Sequence, residues 1–349
     1  MRPGRLHPSP ARGFKRTPIL AVINRKASAM TAPSRFPVTV IVPTYRRPDR
    51  LAACLAGLAG QTLPPAQVIV TVRDDDPESR SAAQRFADAL ALDILAVGVP
   101  GQVAALNRGL DQAWGDIIAI TDDDAVPHPD WIERIEAWYH ADGRIGGVGG
   151  RDHVFHDGVP EDDPEDRAAR TVGRLQWFGR VIGNHHLGRG GARDVDVLKG
   201  ANWSLRRTAV GAARLNTRLR GSGAQVQNDL DFSLRLRRRG WRLVYDPRVA
   251  VDHFPSERHD IDRRGDAGFH PLAREHAAFN DTLALMAHFG PMNRAVFAIW
   301  ALLVGTSEFP GLAQGLRLAL RGDHHAGARL RASLRGRLAG LREWRGTAA

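Results

Sequence analysis

β-Branched residues run without a break through positions 38–42 and stop at Pro43, the pattern of a strand buried on both faces that gives way to a loop. Leu51, Cys54, Leu55 and Leu58 follow at i, i+3, i+4 and i+7, which predicts an amphipathic helix closed by residues 61–65. Residues 67–72 read as a second buried strand ending in Arg73 and three aspartates, residues 81–90 as a helix, and residues 92–98 as a third strand. A helix over 103–114 then leads to the apolar strand 116–121. Strands that alternate with helices pair in parallel through crossover connections, so the chain is expected to form an α/β fold: a mostly parallel open sheet with helices on both faces. Ligands of such sheets bind beyond the carboxyl ends of the strands, where the polar motifs of this chain fall.

The glycines of 146–150 and the acidic stretch 157–166 break this rhythm and divide a main domain, 36–258, into halves at 36–145 and 146–258. The second half carries VDVLKGANWSLRR, a helix ending in RLRRRG with Gly240 as its cap, and two strand patterns, 241–247 and 249–253. Beyond it, 259–349 reads as a C-terminal helical region. There Leu330, Leu334, Leu338 and Leu341 form a narrow stripe flanked by Arg329, Arg331, Arg335, Arg337 and Arg342. Such a stripe suits a helix lying on an anionic bilayer, and equally one packed on its own domain.

Charge alters the picture only at the ends. Residues 1–35 hold eight Lys/Arg and no acid, and 314–349 hold eight arginines against Asp323 and Glu343, so the formal +11 resides in the termini and the body is mildly acidic. Nearly all the positive charge is Arg, with Lys only at 15, 26 and 199, which reads as codon bias rather than a nucleic-acid-binding design, while the basic arms are consistent with an anionic membrane surface. Cys54 is the sole cysteine, so an intrachain disulfide is excluded and a reducing cytoplasm is expected. Residues 1–35 lack an apolar h-region and are read as a disordered basic arm. The longest apolar stretch, 295–304, is about half of what a spanning helix needs. The expected location is therefore cytoplasmic, with peripheral attachment to the inner face of the membrane.

Three clusters can carry chemistry. Asp122, Asp123 and Asp124 end the strand 116–121; adjacent carboxylates repel unless a cation or several donors compensate them. A hard divalent cation, magnesium or manganese, is their natural partner beside a diphosphate, and a solvated acidic turn before a helix near Trp131 is the alternative. Asp74, Asp75 and Asp76 end the second strand; these carboxylates suit a ribose hydroxyl or a base imino hydrogen, although Asp-Pro at this point is also a helix start. Asp229 and Asp231 open the arginine-rich helix, where free amides stabilise a carboxylate and where a base for an acceptor hydroxyl could stand. The approach GSGAQ, 221–225, has the composition of a segment that closes over substrate.

VIVPTYRRP, QTLPPAQVIVTVRDDD, GQVAALNRGL, TDDDAVPHPDW, LKGANWSLRR and NDLDFSLRLRRRGWRLVYDP occur in this order between about Phe36 and His253. The set resembles family-2 glycosyltransferases with the type A nucleotide-diphospho-sugar transferase fold. That resemblance implies an inverting transfer of one sugar from a nucleotide-diphospho-sugar donor to a sugar or lipid-linked acceptor, in cell-envelope polysaccharide or glycolipid synthesis. The half 36–145 would bind nucleotide and 146–258 acceptor. Pro43, Thr44 and Tyr45 would line the nucleotide pocket, Asp74 would contact the base with Asp75 as substitute, and Asn107, Arg108 and Asp122 would adjoin the donor. Asp122, Asp123 and Asp124, the last as direct ligand, would hold the cation, approached by a late histidine, His253. Gly200, Ala201 and Asn202 would face the acceptor and the transferred sugar, and Asp229 would be the base. Two departures stand out: Asn228 replaces the Glu that usually precedes the catalytic Asp, and Leu106 replaces an Arg before Asn107. The Gln-x-x-Arg-Trp signature of processive synthases is absent. A nucleotidyltransferase would carry a Gly-rich loop after the first strand, and VPTYRRP has no Gly; a non-catalytic nucleotide-sugar-binding protein is the other reading.

Overall fold

The computed structural model describes residues 35–156, 158–161, 170–256, 259, 261 and 269–346. The arm at 1–34 and most of the acidic stretch 157–166 lie outside the described residues.

Strand β1 (Val38–Thr44) is buried along its whole length because both of its faces are covered. Val38, Val40 and Val42 pack with Leu51, Leu55 and Leu58 of α1 (Pro48–Ala59), while Ile41 points the other way, toward Val103, Leu106 and Leu110 of α3 (Gln102–Gln112). Alternation across the pleat thus supplies two cores from one apolar run. Gly109 permits the close approach of α3, since a Cβ there would lie 2.6 Å from Ile41 Cγ2. Strands β2 (Gln67–Arg73), β3 (Leu92–Val97) and β4 (Ile117–Thr121) complete a parallel set in which β1 lies between β2 and β4, and β3 is beyond β2.

Helix α2 spans Pro77–Gln84, beginning four residues before the expected 81–90 and ending short of it. The Asp76 side chain accepts from Ser79 N at 3.1 Å, and Pro77 takes the first helical position. That cap and proline start the helix where their chemistry is strongest.

The second half departs from simple alternation. After β5 (Ala125–Pro127) and α4 (Trp131–Ala141) come β6 (Ile145–His156), the short β7 (Val159–Pro160), β8 (Arg174–Leu175), β9 (Val181–Ile182) and β10 (Arg193–Asp194). Strand β11 (Asn202–Arg206), the short α5 (Arg207–Val210), α6 (Asn228–Arg238) and β12 (Arg242–His253) follow. β11 runs antiparallel between β4 and β6, and β12 is parallel to β6. The order is β10-β12-β6-β11-β4-β1-β2-β3. The two strand patterns expected at 241–247 and 249–253 are one strand with a register shift between Asp246 and Ala250. Pro247 inside it donates no ladder bond and marks that irregularity. Gly240, at φ +86°, follows α6 as expected of its cap.

Four helices end the described residues: α7 (Pro271–His288), α8 (Pro291–Leu303), α9 (Leu312–Leu320) and α10 (Ala326–Gly346). Phe279 and Leu283 of α7 share a core cluster with Trp203 and Phe232. Helix α10 lies along α7 through Gly336 and Gly340, where a Cβ would come within 2.2 Å of Glu275 O and 2.8 Å of Phe279 O. Arg337 is buried against Asp281 at 3.2 Å, not free beside an outward stripe, and Leu330 packs over Gly315. One face of this helix thus packs on its own domain. No helix among the described residues is long and apolar enough to cross a membrane.

Candidate active site

The carboxyl ends of β1, β2 and β4 share one edge of the parallel set. β4 delivers the turn of Asp122, Asp123 and Asp124, and β5 pairs back on β12 with Ala125 opposite His253. One carboxylate oxygen each of Asp122 and Asp124 and one ring nitrogen of His253 lie within 4.8 Å of one another, a spacing that fits ligation of one cation. Asp123 stands outside this group. Its carboxylate accepts from Thr44 Oγ1 at 2.7 Å and from Arg47 Nη1 at 2.8 Å, so it ties the β1 loop to the β4 turn. Arg47 also reaches Asp124 Oδ2 at 3.2 Å.

The electrostatics separate these acids. Burial, reinforced by the negative charges of Asp124 and Asp122, outweighs Arg47 and lifts Asp123 to about 7. Burial acts the same way on Asp124, but the hydrogen bond and charge of His253, with Arg47, hold it below the ordinary carboxylate range. His253 is disfavoured as a cation by burial, yet Asp124 and Asp152 on its two nitrogens raise it to about 9. Its Nε2 is 3.3 Å from Asp124 Oδ1 and its Nδ1 3.4 Å from Asp152 Oδ2. Lys199 forms an ion pair with the fully buried Asp152. A carboxylate behind an imidazole fixes the orientation of the ring toward whatever the other nitrogen binds.

The second acidic cluster divides into three roles. Asp76 caps α2 and accepts from Arg46 N. Asp75 accepts from Tyr45 Oη at 3.1 Å, and Arg46 and Arg73 lie over the Tyr45 ring at 4.9 and 5.2 Å. Asp74 is exposed at the tip of β2. Pro43 is buried within β1.

On the other flank, α6 presents Asp229 in its first turn. Asp229 Oδ2 accepts from Gly200 N at 3.0 Å and Oδ1 from Leu230 N at 2.8 Å. Gln102, in the first turn of α3, donates from Nε2 to Asp122 Oδ1 at 3.0 Å and accepts on Oε1 from Asn228 Nδ2 at 3.2 Å. The approach to α6 is anchored rather than open: Gly223 O accepts from Gln102 N at 2.7 Å, and Gln225 Oε1 from Val103 N at 3.0 Å. Asp231 is buried against His288 and Arg235.

Several anticipated residues turn elsewhere. Asn107 makes a two-way clamp on the Leu215 backbone at 3.0 and 2.7 Å, and Arg108 is exposed one residue on. Ala201 O accepts from Thr121 Oγ1. The Asn202 amide is consumed by Trp131, Arg151 and Val249. Conversely, Arg47, Gln102 and Lys199, inside the quoted motifs but given no role there, and Asp152, outside them, join this cluster. Only Gln102 had a local signal, its place just after Gly101 at the start of a helix; the others are joined to the site by pairing far along the chain.

Residues 34–265 match the family described as glycosyltransferase-like family 2. The glycosyltransferase AglE of Haloferax volcanii is 35% identical over 101 residues, 28% of this chain and 33% of that protein, so the chain spans about a third of this relative's length. The glucosyl-dolichyl phosphate glucuronosyltransferase of the same organism is 25% identical over 62% of this chain and 68% of its own. Among solved structures, the mannosyltransferase PcManGT of Pyrobaculum calidifontis, in complex with GDP-Man and Mn2+, superposes with a TM-score of 0.50 at 18% identity, covering 93% of this chain and 92% of that one.

Proposed function

The chain belongs to the glycosyltransferase-like family 2, and on that premise we propose that it transfers a single sugar from a nucleotide-diphospho-sugar to an acceptor hydroxyl with inversion at the anomeric carbon. The observation that carries this reading is the bridge from Asp122 through Gln102 to Asn228, which ties the candidate cation cluster by two hydrogen bonds to the residue before Asp229.

In this reading Asp229 removes the acceptor proton as the hydroxyl attacks the anomeric carbon from the side opposite the diphosphate. Both of its oxygens accept from backbone amides, which would hold the carboxylate in place for an acceptor hydroxyl that comes within hydrogen-bond reach. Asp122, Asp124 and His253 would hold a divalent cation; two carboxylates suit magnesium or manganese, and the imidazole favours the latter. Bound there, the cation would neutralise charge developing on the departing diphosphate. Tyr45, held among Arg46, Arg73 and Asp75, would border the nucleotide, and exposed Asp74 would offer an acceptor for the base's imino hydrogen. The Gly200 loop, from which Asp229 takes a hydrogen bond, would face the acceptor. The glucuronosyltransferase relative acts, by its name, on a dolichyl-phosphate-linked sugar. This supports a lipid-linked acceptor, and with it the expectation of a role in cell-envelope synthesis at the membrane.

The test is incubation with UDP-, GDP- and dTDP-sugars and manganese, scoring nucleoside diphosphate release and the anomeric configuration of the product by NMR. Release from no donor under any metal, or a product of retained configuration, would overturn the reading.

A further inference from the structure

Helices α8 and α9 turn apolar faces to solvent. On α8, Phe297 and Ala301 point inward, while Met292 and Ile299, two turns apart, are 77% and 60% exposed and Leu302 and Leu303 continue the face. On α9, Gly315 alone is buried, and Leu312, Leu316 and Leu320 recur every four residues, the last two 62% and 80% exposed. The faces adjoin, because the start of α9 lies on the end of α8: a Cβ on Gly311 would be 2.6 Å from Leu302 O. Trp177, 64% exposed, stands beside Phe178, whose ring packs 5.1 Å from Trp300 of α8. Contiguous exposed apolar surface on successive helices marks an interaction site rather than scattered surface leucines.

We infer that the outer faces of α8 and α9, with Trp177 as an aromatic anchor, form a docking surface for an anionic lipid bilayer. Charge selects this occupant. From Phe309 through Gly346 the chain has eight arginines and two acids, and those acids pair with Arg329 at 3.0 Å and Arg218 at 3.7 Å. Arg317, Arg321, Arg331 and Arg335 are exposed, and none forms an ion pair among the described residues. Arg317 lies within α9 and Arg321 is its C-cap, next in sequence to Leu316 and Leu320, so a second copy meeting this face would bring like charges together, whereas anionic headgroups complement them while the leucines enter the acyl boundary. The surface differs from the α10 stripe suggested by the leucine spacing, because α10 is already packed on α7. Binding to lipid needs no turnover, so this inference stands or falls apart from the proposed transferase activity.

The experiment is co-sedimentation of the full chain with mixed phosphatidylglycerol and phosphatidylcholine vesicles, beside phosphatidylcholine alone. The parent is expected to partition onto the anionic vesicles with a blue shift of tryptophan emission that Trp177→Phe diminishes. The combined Ile299→Gln, Leu316→Gln and Leu320→Gln variant is expected to bind at least about tenfold more weakly, with circular dichroism and melting temperature unchanged. Equal binding by parent and variant would overturn the inference and assign attachment to charge rather than to this apolar face. Failure of the parent to bind would overturn it too. So would a parent dimer in light scattering that becomes monomeric in the variant while neither binds vesicles, since that result assigns the face to a second copy.

Discussion

Gln102 holds Asp122 from one side and Asn228 from the other, with 3.0 Å to the carboxylate and 3.2 Å to the amide. One side chain therefore sets the spacing between the acidic turn and the helix of the proposed base. Gln102→Met keeps the length and removes both hydrogen bonds. The expected result is a kcat lower by about tenfold to a hundredfold, the scale of a small misplacement of reacting groups, with the melting temperature nearly unchanged. Steady-state kinetics beside thermal unfolding would check it, and an unaltered kcat would show the bridge to be dispensable.

Asp229→Asn keeps the shape of the side chain and removes its capacity to take a proton. Turnover should fall by about two to four orders of magnitude, while the KM for the donor changes little, because no donor contact is assigned to this carboxylate. Nucleoside diphosphate release measured across donor concentrations separates the two constants. Near-normal transfer by this variant would rule out Asp229 as the base.

Asp124→Ala acts on the other wall. It removes one of the three donors of the cation cluster and the partner of His253, so cation dependence and donor affinity should fall together. Isothermal titration with Mn2+, then with donor at saturating Mn2+, tests this; loss of one without the other would separate the cation from the diphosphate site.

Why some of this was readable and some was not follows from the reach of each signal. The parallel set β3-β2-β1-β4 lies in runs such as 38–42, whose burial on both faces leaves only one reading. The insertion of β11 antiparallel between β4 and β6 comes from pairing across about eighty residues, which no local pattern encodes. Asp122, Asp123 and Asp124 are identical letters, yet the turn directs the middle one to Thr44 and leaves its neighbours grouped with His253. Asp229 stood out as a carboxylate at a helix start, whereas Asp152 lies mid-strand and acquires its role from His253 and Lys199, 101 and 47 residues away.

Arg337 was equally unreadable: in sequence it flanks a leucine stripe, and in the fold it is buried against Asp281 between α10 and α7. Burial lifts Asp281 to about 6 despite the arginine, and lowers Arg337 despite the carboxylate, so desolvation exceeds the attraction for both partners. Arg337→Met alone should then cost about 3 kcal/mol, because it strands a buried carboxylate, while Arg337→Met with Asp281→Leu should restore most of the loss. The sign with pH follows from the raised carboxyl. Folding moves Asp281 from 3.8 to about 6, so in that window the folded chain binds the proton more firmly than the unfolded one. This group's contribution is most favourable below pH 4, declines as pH rises through 6 and is flat above. Urea unfolding of parent and Asp281→Asn between pH 4 and 8 isolates the effect as a difference in slope. Parallel stability curves through that range would mean the carboxyl ionises in the fold as freely as in water.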